Sequence, residues 1–390
     1  MLKRRIIMLA LLALPLGGLT THAQEKPKEP SKEEAKPQAK KEDSTPSFAD
    51  REKLLAHFEA EREVLQAKVE VEERKSSPDP KKLQELHEGY RTIDLGALNA
   101  LVKYVAENAE AKDVGPARYD VIDLSFRLGH WQAAVDAAAS YLALHEKDSD
   151  DLKRQASYLR ASALTNIEGK ESDAVSALEG VANAYGGFLE GDLARRDLLR
   201  AYLLADKSAD ALKLISDIQK LKDVQDNEDA LAWAKEQRHI IESVGRKVDE
   251  ASFIKPDESA MTLAEIAKLG KPFVLWYWDT RDGLSLRTQK DFEALAKANN
   301  GQFGVYAISV NKSQAVWKQH VEADKESKLT HLFEGRVDSA TLSSRKLGVD
   351  RFPLAVLVNS DRSIYRFDVP VRDLKRVTKA WLKLDINKGK

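Results

Sequence analysis

The sequence predicts two folded parts, an α-helical repeat array followed by an α/β sandwich with a mixed sheet. Three observations carry this. From Phe48 to Val244 apolar residues recur at three- and four-residue steps among charged ones. Within that region one segment echoes itself. Beyond Gly245 short apolar runs alternate with helical periods, and the last two runs are split by a turn.

Met1 to Ala23 reads as a secretory signal. Lys3, Arg4 and Arg5 precede a short apolar core, Ile6 to Leu16, and Thr21-His22-Ala23 supplies small residues for cleavage after Ala23. The core is shorter than the roughly 20 residues a bilayer-spanning helix needs, so no integral membrane segment is expected after cleavage. No Cys follows the cleavage site, which excludes a lipoprotein. The expected location is outside the cytoplasm, periplasmic or extracellular. Residues 24–47 are Lys, Glu, Pro, Ala and Ser with little to bury, and read as a disordered charged linker.

The chain has 390 residues and no Cys, although an exported protein has access to disulfides. Structural disulfides, thiolate metal sites and cysteine nucleophiles are therefore excluded. A net charge of −1, with 32% of residues charged, argues against nucleic acid or a membrane surface as partner. No histidine pair has HExxH or HxH spacing, and no GxGxxG or Walker-type loop occurs, so neither metal nor nucleotide cofactor is expected.

Two helices are expected first, over Leu54 to Val71 and from Leu83 to Val105, separated at Pro78 and Pro80. FRLGHWQAAVDAAASYL (Phe126 to Leu142) is then echoed by TNIEGKESDAVSALEGV (Thr165 to Val181), and more weakly by YLLADKSADALKLISDI (Tyr202 to Ile218). In each, a turn residue (Gly129, Gly169, Asp206) is followed five positions later by a small one, Ala134, Ala174 or Ala211. The alanines lie 40 and 37 residues apart, the period of a helical solenoid. These segments resemble tetratricopeptide repeats, with Trp131 where that family prefers an aromatic and with spacing looser than its period of 34. The resemblance implies a surface that holds protein segments; the helices could equally serve as a spacer. The repeat domain is expected over residues 48–244 and the sandwich over 245–390.

In the second part the expected elements are a strand within Lys247 to Ile254, a short helix over Thr262 to Leu269, and a buried strand from Phe273 to Trp278. A helix from Ser285 to Asn299, a strand from Phe303 to Val310 and a helix from Ser313 to Asp324 follow. A loop over Leu329 to Gly335 and a short helix over Ser339 to Leu347 lead to strands at Leu354 to Asn359 and Ser363 to Phe367, and a last helix begins at Val371. The strand ending at Trp278 turns into a helix N-terminus, where free amides and the helix dipole gather. Asp282 and Ser285 stand there, three residues apart.

This order, with these residues, resembles the thioredoxin superfamily, in its exported TlpA/redoxin-like branch. Gly270-Lys271-Pro272 and the apolar strand match the entry to that family's active-site turn. Tyr277-Trp278-Asp279-Thr280 stands where the family has Phe-Trp-Ala-Thr. Ala307 to Val310, Leu347-Gly348-Val349 with Phe352-Pro353, and Leu357 to Asp361 match further segments. The resemblance implies a thioredoxin fold, an α/β/α sandwich, with a cis-proline at Pro353. It also implies a groove in which Phe352, Pro353 and Trp278 hold an extended peptide; the same residues could merely preserve a fold-defining turn.

The departures concern the chemistry. Asp282 and Ser285 occupy the positions of the two redox cysteines, Arg281 replaces the preceding Trp, Lys290 a helix proline, and the buried acid of some relatives maps to Thr288. Dithiol exchange needs an attacking thiolate, which neither carboxylate nor hydroxyl supplies. Family-type oxidoreductase activity is therefore excluded and no thiol-based catalytic residue remains. Asp282 has an architectural reading as a helix N-cap. A non-thiol enzyme would use Ser285 with an acid and His331. The reading carried forward is a non-catalytic binding or scaffolding protein with a protein or peptide partner in the cell envelope.

Overall fold

The computed structural model describes residues 48–75, 80–145, 150–299, 301–324, 327–334, 344, 347, 349 and 352–388. The signal and linker expected over residues 1–47, and most of the helix expected over Ser339 to Leu347, lie outside them. The described residues divide into two compact units, residues 48–207 and 208–388.

The first unit holds seven described helices: α1 (Arg51–Glu73), α2 (Pro80–Glu107), α3 (Val114–Arg127), α4 (Trp131–Leu144), α5 (Asp150–Leu164), α6 (Glu171–Ala184) and α7 (Leu189–Leu204). Asp50 caps α1 by accepting from the Lys53 amide at 2.8 Å. Pro80 opens α2, where its missing N–H costs nothing. Each helix packs on the next, and α3, α5 and α7 also touch in turn. Polar bonds fasten this stack. Asp197 on α7 accepts from Ser162 at 2.6 Å and Tyr158 at 3.2 Å, both on α5.

The repeated turns have a physical basis. α3 ends in Gly129 at φ 77°, with His130 N–H bonded to Ser125 O at 2.9 Å and Gly129 N–H to Phe126 O at 3.0 Å. That is a left-handed cap which satisfies two end carbonyls. α7 ends in the same way at Asp206, φ 59°, with Lys207 N–H on Tyr202 O at 2.8 Å. The small residues five positions on, Ala134 and Ala174, are completely buried, since a larger side chain there would hold the helices apart.

The second unit opens with α8 (Ser208–Lys220), α9 (Lys222–Gln225) and α10 (Glu228–Ser243), then β1 (Ser252–Ile254), β2 (Ala260–Thr262), α11 (Leu263–Ala267), β3 (Phe273–Trp278), α12 (Gly283–Ala298) and β4 (Gly304–Ser309). It continues through α13 (Gln314–Ala323), β5 (Thr330–Phe333), β6 (Leu354–Val358), β7 (Ile364–Arg366) and α14 (Val371–Lys388). The helical pattern in the sequence runs on to Ser243, past the division between units. Ile240 on α10 explains it, because this residue lies in the sheet's own core with Phe273, Leu275 and Tyr277.

The seven strands lie in the order β2-β1-β5-β4-β3-β6-β7. β3 runs parallel to β4 and antiparallel to β6, and β4 runs parallel to β5. All six β3 residues are buried, as a central strand requires. Phe273, Leu275 and Tyr277 face α10 and α11, while Trp276 and Trp278 face the α12 side, with Trp276 stacked on Phe292 at 4.6 Å. Four of the six tryptophans, 276, 278, 317 and 381, are fully buried in this unit. Each contributes about 4–6 kcal/mol of gross burial energy, so the aromatic layer dominates its core.

Three expectations are corrected. Residues 330–333 form β5 rather than a loop, because β4 and β1 pair with this segment from both sides. β2 was not anticipated. The strand expected from Lys247 shortens to β1, with Lys247 left in an isolated bridge to Ser363.

Replacing Gly129 by Ala should lower stability by about 1 kcal/mol through backbone strain alone, since the added Cβ meets nothing closer than the Trp131 ring at 3.6 Å. Asp206→Gly should do the opposite. Chemical denaturation of the two variants beside the parent checks both signs.

Candidate functional site

The carboxyl end of β3 and the start of α12 hold the positions singled out in the sequence. β3 ends on Trp278, and Asp279, only 5% exposed, comes next. Its carboxylate gathers the turn: Oδ1 accepts from the Arg281 amide at 2.9 Å, from Arg281 Nε at 3.0 Å and from Asn311 Nδ2 at 3.2 Å, and Oδ2 accepts from the other end of the guanidinium at 2.5 Å. The hydrogen bonds from Arg281 hold the Asp279 carboxyl below the ordinary carboxylate range. Asn311, just beyond β4, also donates to Thr280 Oγ1 at 2.5 Å and accepts from Ser309 Oγ at 2.6 Å. One polar network therefore joins the ends of β3 and β4.

Asp282 is the N-cap of α12. Its backbone is extended, and its carboxylate accepts from the Ser285 amide at 2.5 Å. Ser285 is completely buried, and its Oγ accepts from the Asp279 amide at 3.4 Å. Thr288, also buried, donates its hydroxyl to the carbonyls of Leu284 and Ser285 at 3.0 and 3.1 Å. Each of the three is thus occupied in holding the turn.

The structure does not bring Ser285 to His331. His331 is buried on β5, and its Nε2 pairs with Ser327 Oγ at 3.2 Å. Burial lowers its pKa to about 4, which makes the ring a weaker base than a free imidazole. Among the described residues no group of His, Asp or Glu could hold a metal ion.

Phe352-Pro353 is a cis peptide bond immediately before β6, with both residues partly exposed. Trp278 differs from expectation. It is fully buried, with His320 of α13 at 5.0 Å and His331 of β5 at 6.3 Å between ring centroids, so it does not line an open groove. The exposed apolar residue at the turn is Leu286, at 40%. The sequence reading missed Asp279 and Asn311; the signal available was a carboxylate placed directly after six apolar residues.

The first unit carries a separate groove of about 500 Å³ across α4, α5 and α6. Val135, Leu164 and Ala177 give it apolar walls, and Arg160, Lys170 and Asp173 are exposed beside them.

No protein-family model matches the chain, and no curated protein matches it. Solved structures do, over the C-terminal third. A thiol:disulfide interchange protein from Bacteroides sp. is 17% identical, covering 36% of this chain and 90% of its own, with a TM-score of 0.33. The thioredoxin domain of a thiol-disulfide oxidoreductase from Bacteroides vulgatus is 17% identical over 36% of this chain and 97% of its own, TM-score 0.32. The pneumococcal exposed lipoprotein thioredoxin from Streptococcus pneumoniae is 15% identical over 34% and 99%, TM-score 0.30. The first two are named for thiol–disulfide chemistry and the third as a thioredoxin; this chain has no cysteine. No helix among the described residues is long and apolar enough to cross a membrane.

Asp282→Ala should cost about 1 kcal/mol, with most of it recovered in Asp282→Asn, which can still cap. Denaturant midpoints of the two variants decide between a capping carboxylate and an idle one.

Proposed function

We propose that this is an exported, non-catalytic protein- or peptide-binding protein of the cell envelope, built from a tetratricopeptide-like array and a TlpA-like thioredoxin domain without redox chemistry. The observation that carries the reading is the turn itself. Both positions that hold thiols in the related family hold Asp282 and Ser285 here, and both side chains are spent on the start of α12. A carboxylate there enjoys the helix dipole yet forms no mixed disulfide. No general base reaches the Ser285 hydroxyl among the described residues, and no observation favours a non-thiol enzyme.

Two surfaces support binding. Leu286 and the partly exposed Phe352-Pro353 offer apolar contact for an extended segment in the second unit. The groove of α4, α5 and α6 sets apolar walls beside exposed charge in the first. The signal-like N-terminus supports export, and the near-zero net charge supports a protein partner over nucleic acid.

The test places a photo-crosslinking residue at Leu286, at Arg160 or, as control, at Leu384 of the full-length chain in its native envelope. A discrete adduct at Leu286 or Arg160, absent at Leu384, is expected. No adduct at either removes the binding reading.

A further inference from the structure

The layer between α12, α13 and β5 contains a second cluster of titratable groups that takes no part in the turn. His331 on β5 is only 6% exposed, and its Nδ1 has no hydrogen-bond partner. Above it, His320 of α13 leans on Trp278, and its Nε2 donates to Gln289 Oε1 at 3.0 Å. The Gln289 amide nitrogen in turn donates to Asp324 at 2.6 Å and to Glu293 at 2.8 Å. Gln289 and Glu293 lie on α12 and Asp324 caps α13, so this amide ties the two helices together. Trp317, fully buried and stacked on Phe333 at 5.3 Å, is the apolar anchor of α13.

We propose that α13 and β5 form an acid-released latch, in which uncharged His320 and His331 let α13 seat on the tryptophan layer and protonation of the two rings frees it. The charged groups around the rings are few. α12 contributes Glu293, and α13 contributes Asp324 at its end. β3 contributes Trp278, and β4 places Ala307 opposite His331 and Ser309 opposite Phe333, none of which titrates near neutrality. A proton on His331 Nδ1 therefore meets no acceptor among the described residues. The ring must leave its site to be charged, and α13 packs on the same strand, with Trp317 stacked on Phe333 two residues further along β5.

Burial holds His331 down to about 4, against about 6.5 for a free imidazole, and burial lowers His320 too. The closed form is thus fully favoured above pH 6.5 and loses ground as pH falls toward 4. Glu293 opposes this. Its burial, and the neighbouring Asp324, raise its pKa, so its own contribution grows as pH falls. The His331 shift alone moves the opening equilibrium roughly 30-fold between pH 7.5 and pH 5.

The experiment is amide hydrogen exchange of the full chain at pH 7.5 and pH 5, corrected for the intrinsic pH dependence of exchange, with tryptophan emission recorded in parallel. Protection of α13 amides should fall by one to two orders of magnitude while α14 and the first unit keep theirs, and emission should shift to the red. In His331→Phe, whose ring suits the aromatic surroundings, the fall should shrink to a few-fold. Protection of α13 that is independent of pH overturns the latch. So does an equal fall in His331→Phe, or loss of protection in every element together. If that variant does not fold, ring-nitrogen NMR of the parent decides. A His331 that stays neutral to below pH 5 while α13 is seated supports the latch, and one that titrates near pH 6.5 with α13 still seated overturns it.

Discussion

The bond set around the Asp279 carboxylate is the constraint on which the second unit's architecture turns. A central strand that is buried on both faces must end somewhere, and its last amides need partners that the sheet no longer supplies. Asp279 meets this by collecting the amide and guanidinium of Arg281 and the Asn311 amide, while its own N–H reaches Ser285. The direction of α12 follows, since Asp282 can cap the helix only if the chain has already turned. Arg281 keeps the arrangement compatible with water, because its side chain stays 62% exposed while it neutralises an almost buried charge.

Much of this was legible in the sequence. Six apolar residues from Phe273 mark a strand buried on both faces, and Gly129 and Gly169 mark left-handed turns that few other residues adopt. What was not legible depended on pairing at a distance. Thr330 to Phe333 is too short and too mixed to declare itself, and becomes a strand only because β4 and β1 lie on either side of it. That strand, with α13, also covers Trp278, so a residue that reads as groove-lining is the floor of a core. Asp279 and Asn311 lie 32 positions apart and share no local pattern. Their meeting follows from the parallel pairing of β3 with β4.

The two faces of β3 do different work. The side bearing Phe273, Leu275 and Tyr277 packs under α10 and α11 in the unit's main hydrophobic cluster. The side bearing Trp276 and Trp278 carries the aromatic layer and meets the two imidazoles, of which His331 has an Nδ1 without a hydrogen-bond partner. The apolar core and the capped turn thus share one strand. The helical unit stands on local terms instead, with left-handed caps and buried alanines, and its groove owes nothing to the sheet.

The central proposal is that Asp282 and Ser285 stand at thiol positions of a turn that has kept its shape without the chemistry. Asp282 is partly exposed and Ser285 fully buried. Insulin reduction by the purified protein, beside an Asp282→Cys/Ser285→Cys variant, tests this most directly. The parent should show no reduction without added thiols, and the double variant a clear gain. Reduction by the parent, or a well-folded double variant that forms the disulfide yet stays inert, would contradict it.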